Sequence, residues 1–177
     1  MNNVIILLVR IDNMKKVFKI ISLLLLILFG IVVFLFMIGD IMVFRIKGTS
    51  MTPLLGANEM VISFRCKEYK RKDVIVYNYN DGKVIKRVIG EPLDNVNIKD
   101  DGKVYINGNL LEEDYIFVDT SKEEINYPYV VGNDEYFVLG DNRIDSYDSR
   151  YIKVKGIKKD MVLGKVFFSI SKLKFVK

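Results

Sequence analysis

From Ile20 to Ile38 the chain runs nineteen residues in which Ser22 is the one polar side chain. At about 1.5 Å per residue, a helix of that length reaches roughly 28 Å, enough to cross the hydrocarbon core of a bilayer. The run is apolar on every side, unlike a helix that packs one face against a soluble core. A cleavable export signal has a shorter apolar region and a small-x-small end, and Met37-Ile38-Gly39-Asp40 supplies neither. Arg10, Lys15, Lys16 and Lys19 precede the run against Asp12, so the N-terminus is expected in the cytoplasm and everything after Asp40 outside. The expected division is residues 1–16 cytoplasmic, 17–39 in the membrane and 40–177 beyond it. Met14-Lys15-Lys16 looks like a more usual start than Met1.

Beyond the anchor the chain has room for one modest domain. The formal net charge of +5 divides unevenly: residues 1–39 carry +3, leaving +2 for the rest. The basic character is therefore largely a membrane-flank feature, and no nucleic-acid partner is expected. Cys66 is the single cysteine and there is no histidine. No intrachain disulfide or cysteine metal cluster is possible, only carboxylates remain for a metal, and no ligand spacing stands out. No metal or cofactor is expected, and Cys66 reads as a packing residue. The basic stretch Arg65 to Lys72 reads as a solvated loop.

The exported part reads as mostly β. Strands are expected over Ile41–Ile46, Glu59–Phe64, Asp73–Tyr79, Lys83–Ile89, Val104–Ile106, Leu110–Leu111, Tyr136–Leu139 and Met161–Ile170. Asn80-Asp81-Gly82 and Asn107-Gly108 are tight-turn sequences that suit hairpins. Residues 91–134 turn acidic and polar, with Pro92 and Pro128 as punctuation, and read as a small inserted cap.

Three stretches carry candidate chemistry. In FRIKGTSMTPLL, Phe44 to Leu55, Ser50 sits near Gly48 after an apolar run. A serine at such a corner can expose its hydroxyl, although most are ordinary turn residues. With no histidine, a Ser-His-Asp triad is impossible, and lysine is the main candidate for a base. In KVIKRVIG, alternation puts Lys86 on one face with Val84 and Val88. It is either a solvated edge-strand lysine, as neighbouring Arg87 suggests, or an amine desolvated enough to act as a base. The third stretch, YFVLGDNRIDSYDSR, runs a strand into a polar loop that is commonly only tied by its own side chains.

Taken together and in this order, these stretches resemble the type I signal peptidases, membrane-anchored serine proteases with a Ser-Lys dyad, in their short single-span Gram-positive-like form. The matching residues are Ser50-Met51-Thr52-Pro53, Asp73-Val74-Ile75-Val76, Lys86-Arg87-Val88-Ile89-Gly90 and Gly140 to Arg150. The resemblance implies an antiparallel two-sheet catalytic core with a small cap. It makes Ser50 the nucleophile and neutral Lys86 its base, with Ser146 hydrogen-bonded to the lysine amine. Asp148 and Arg150 become an ion pair shaping the loop, Asp141 and Arg143 structural charges, and the Ser50 N–H an oxyanion donor. Substrate would lie extended beside Ile85 and against Phe44 to Ile46, with Ile46, Met51, Leu55 and Ile85 lining shallow pockets that select small residues.

The implied reaction is removal of signal peptides from exported preproteins after small-x-small sites. The implied partners are those preproteins, the lipid bilayer and, transiently, the secretion translocon. Two alternatives stay open: a specialised paralogue for pilin-type precursors, and a non-catalytic membrane-anchored assembly factor on the same fold. Leu54, Leu93 and Ile152-Lys153 depart from the family pattern. Gly48 stands where some relatives have a serine that completes the oxyanion hole.

Overall fold

A computed structural model describes residues 2–37 and 41–176. The chain divides into two compact units, Met1–Asp40 and Ile41–Lys177. The described residues of the first form one helix, α1, spanning Asn2–Met37. Within it Asn13–Leu35 is long and apolar enough to cross a membrane, with a mean hydropathy of 2.9. The side chains of residues 13–34 are all exposed, as an apolar helix meant for lipid requires. No break separates a lead from the span, because residues 2–16 contain neither glycine nor proline to end the helix. Ile38 and Gly39, the expected end of the span, lie outside the described residues.

Among the described residues the second unit holds twelve strands in two antiparallel sheets. They are β1 Ile41–Arg45, β2 Met60–Phe64, β3 Val74–Tyr79, β4 Gly82–Gly90, β5 Asn95–Ile98 and β6 Val104–Ile106. The rest are β7 Asn109–Leu110, β8 Tyr129–Val130, β9 Glu135–Leu139, β10 Ile157–Lys158, β11 Val162–Ser169 and β12 Lys174–Phe175. The large sheet is ordered β1-β2-β11-β3-β4-β9-β10, with β12 joined to β11. The small one is ordered β7-β6-β5-β8 and falls within residues 91–134.

Both expected hairpins form. Tyr79 pairs with Gly82 across Asn80-Asp81, and the positive φ falls on Asn80 rather than on the glycine. At Asn107-Gly108 both residues have positive φ, as a two-residue hairpin turn prefers.

Three cores meet at β4. Val88 joins a cluster with Tyr77, Val138 and Tyr136. Ile89 packs with Val96, Ile98, Val104 and Phe137, filling the space under the small sheet. Ile85 covers a third cluster containing Ile46, Met51, Leu55 and Val76. Strand alternation thus sends successive β4 side chains into different cores, and Lys86 goes with the first. Inside the basic stretch, Tyr69 is a core residue and Arg71 bonds Asp94 at 2.8 Å. That segment is docked as well as solvated.

Candidate active site

Ser50 rides on a tight loop after β1. Met51 and Leu55 are four residues apart, joined by a 2.8 Å Leu55 N–H to Met51 C=O bond, and both are buried. They anchor the loop in the third cluster and leave Ser50 half-buried above it. The Asn142 N–H donates to the Ser50 carbonyl at 3.0 Å, tying this loop to the turn after β9.

Lys86 is flanked by β3 on one side, opposite Ile75. It is 3% exposed, which excludes the solvated edge-strand alternative. Its Nζ donates to Ser50 Oγ at 2.5 Å. Burial pushes the Lys86 pKa down to about 8, against a partial upward pull from Asp148. A charged ammonium loses hydration in this setting, so the neutral amine gains ground.

Beneath the pair lies a buried polar frame. Asp148 accepts from the Gly140 N–H at 3.1 Å, from Ser146 Oγ at 2.6 Å and from Arg150 Nε at 2.8 Å. Arg150 also donates to the carbonyls of Arg143 and Ser146. The expected bond from Ser146 to the lysine amine is replaced: among the described residues the serine hydroxyl is given to Asp148 instead. A carboxylate already fixed by Arg150 is the stronger acceptor at that position.

Asp141 and Arg143 do not pair with each other. Asp141 takes a two-pronged bond from Arg87 at 2.8 and 2.7 Å, while Arg143 reaches Glu113 and Thr120 in the 91–134 segment. Arg87 stacks 4.1 Å over Tyr115 from the same segment. Sequence reading missed Glu113, Tyr115 and Thr120, and also Asn142. It missed Asp145 as well, whose carboxylate accepts the Thr49 hydroxyl.

A groove of about 540 Å³ opens beside Ser50 between β1 and the first half of β4. Phe44, Ile46, Met51 and Ile85 line it, and Val76 with them. Leu55, expected among them, is fully buried and does not line it; its side chain anchors the loop instead. Both walls offer backbone. β1 pairs only with β2, and β9 meets β4 only from Arg87 onward, which leaves the Lys83–Lys86 edge open among the described residues. No cluster of three metal-ligating side chains occurs among the described residues.

Residues 14–171, which include the Ser50 loop, Lys86 and the Gly140–Arg150 turn, match the family described as signal peptidase, peptidase S26. The chain belongs to the signal peptidase family. It is 37% identical over 134 residues to the probable signal peptidase I-2 of Synechocystis, covering 69% of this chain and 59% of that one. Against signal peptidase I S of Bacillus subtilis it is 36% identical, covering 59% and 64%. Against signal peptidase IB of Staphylococcus aureus it is 33% identical over 159 residues, covering 77% and 82%. The chain thus spans under two thirds of the length of the first two of these signal peptidase relatives. The crystal structure of a signal peptidase I from Enterococcus faecalis superposes with a TM-score of 0.48 at 33% identity, over 57% of this chain and 98% of that one.

Proposed function

We propose that this chain is a membrane-anchored serine endopeptidase that removes signal peptides from exported preproteins through a Ser50–Lys86 dyad. The observation that carries the reading is the 2.5 Å contact between Lys86 Nζ and Ser50 Oγ in a chain without histidine. Lysine is then the one nitrogen base beside the hydroxyl.

In the working form Lys86 is neutral and accepts the Ser50 proton as Oγ attacks the scissile carbonyl carbon. The resulting oxyanion is received by the Ser50 N–H. Collapse breaks the C–N bond, and Lys86 returns its proton to the departing amine, leaving an acyl ester on Ser50. Water then gives a proton to Lys86 as its oxygen attacks the ester carbonyl. The C–Oγ bond breaks, Ser50 regains the proton, and the signal peptide leaves with a new carboxyl group. Asp148, Arg150, Ser146, Asp141 and Arg143 hold the loops that set this geometry.

Substrate adds as a strand between β1 and the open edge of β4, which supply backbone bonds on both sides. Phe44, Ile46, Met51 and Ile85 narrow the groove so that small side chains fit before the cut. Residues 91–134 form the inserted cap. The helix anchors the chain in the lipid bilayer with its basic flank in the cytoplasm, placing the catalytic unit where preproteins emerge from the translocon.

Full-length protein in detergent, incubated with a preprotein panel that includes pilin-type precursors, gives products readable by mass spectrometry. Cleavage after small-x-small sites by wild type, absent in folded Ser50→Ala, is expected. Cleavage of pilin-type precursors alone would identify the specialised paralogue. Equal cleavage by Ser50→Ala refutes the mechanism, and none by wild type leaves the assembly-factor reading.

A further inference from the structure

A second cavity, about 310 Å³, opens on the other side of Ser50. Tyr77, Tyr79, Tyr147 and Val154 form its walls, and Lys86 and Asp145 supply its charges. It shares Gly48, Ser50 and Val84 with the substrate groove, so the two spaces meet at the serine. A peptide that runs along the groove and presents its carbonyl to Ser50 is handed into this cavity beyond the cut. We propose that the cavity receives the first residue after the scissile bond, and that Asp145 makes it favour a cationic side chain there and reject an acidic one. This rests on the protease reading above.

The chemistry is specific to these residues. Asp145 is exposed, and only its Oδ2 is engaged, by the Thr49 hydroxyl. Its Oδ1 accepts no hydrogen bond among the described residues. The acidic groups deeper in the site are already matched, Asp148 by Arg150 and Asp141 by Arg87. Lys86 is neutral when it acts as base, and Lys153 contributes its backbone carbonyl to the Tyr79 hydroxyl at the rim without lining the cavity. Asp145 is therefore the uncompensated charge that an entering side chain meets. A lysine or arginine would lay its aliphatic stem along the tyrosine rings and bring its head to the free Oδ1. A glutamate would meet like charge.

The test is a competition among three peptides that share one sequence up to the cut and carry Lys, Ala or Glu after it. Full-length wild type, Asp145→Asn and Asp145→Arg are assayed in detergent for relative kcat/KM by mass spectrometry. Asparagine keeps an acceptor for Thr49 while removing the charge. Wild type should prefer Lys over Glu by about tenfold, the screened size of one partly exposed charge contact. Asp145→Asn should bring the ratio close to one, and Asp145→Arg should invert it. An unchanged ratio in Asp145→Asn overturns the inference, as does a wild type without preference. Equal loss on all three peptides would reduce Asp145 to a support for Thr49 and overturn it too. If wild type cleaves none of them, the protease reading itself fails.

Discussion

Replacing Lys86 with methionine should make the protein more stable at neutral pH, although it removes the proposed base. The folded-state pKa of Lys86 is lowered from 10.5 to about 8 by burial. Below pH 8 the folded protein must hold a charged ammonium in a site that is 3% exposed, and the unfolded chain need not. A downward shift of that size costs about 3 kcal/mol at pH 7, falling to about 2 at pH 9 and below about 1 at pH 10. The sign comes from proton uptake: between the two pKa values the unfolded chain binds more protons, so wild-type stability rises with pH there. Methionine fills similar space without charge and gives up the bond to Ser50, worth about 1 kcal/mol. The net expectation is a gain of about 2 kcal/mol at pH 7 that halves by about pH 9, disappears near about pH 10 and then reverses slightly. Urea unfolding in detergent, followed by tyrosine emission in a chain with ten tyrosines and no tryptophan, reads it directly. Parallel stability curves for the two proteins, or a less stable variant at pH 7, would refute the claim that Lys86 is held by the fold at a cost.

Other perturbations separate the frame from the chemistry. A Cβ on Gly140 would lie 2.5 Å from the Ser50 carbonyl oxygen and closer still to Ser146 Oγ. Gly140→Ala should therefore displace the serine loop, costing about 1–3 kcal/mol of stability and about a hundredfold in kcat/KM. Arg150→Met should destabilise by about 3–5 kcal/mol because it leaves Asp148 buried and unpaired. It should also move the activity-versus-pH limb upward, since Arg150 lowers the Lys86 pKa and Asp148 raises it. A reporter active only outside the cytoplasm, fused after Lys177, should be active; activity of a cytoplasmic reporter instead would invert the proposed topology.

The parts of the fold legible in sequence are those with local periodicity. β3 and β4 alternate on either side of a turn that needs a positive φ, and both strands and turn form where expected. β5, β8, β10 and β12 are two to four residues long, too short for alternation to register, whereas the equally short β6 and β7 are marked by the Asn107-Gly108 turn between them. Lys86 is ambiguous for a related reason: alternation is the same on a solvated face and a buried one, and only the packing of the loops around the side chain tells them apart. The proposed dyad stands out through the absence of histidine and the motif order. Its frame does not, because bonds such as Arg143 to Glu113 and Arg87 to Asp141 join residues far apart in the chain and leave no local mark. Leu55 shows the limit from the other side, since an apolar residue beside a groove and one beneath it read alike in sequence.

The most direct test of the account is kcat/KM for a signal-peptide substrate, measured from pH 5 to pH 10 in wild type. If neutral Lys86 is the base, the rate rises tenfold per pH unit at the acid end and levels off through a single inflection at about pH 8, where its pKa is held. A profile flat across that range, or one unchanged in Lys86→Arg, would contradict the Ser50–Lys86 dyad.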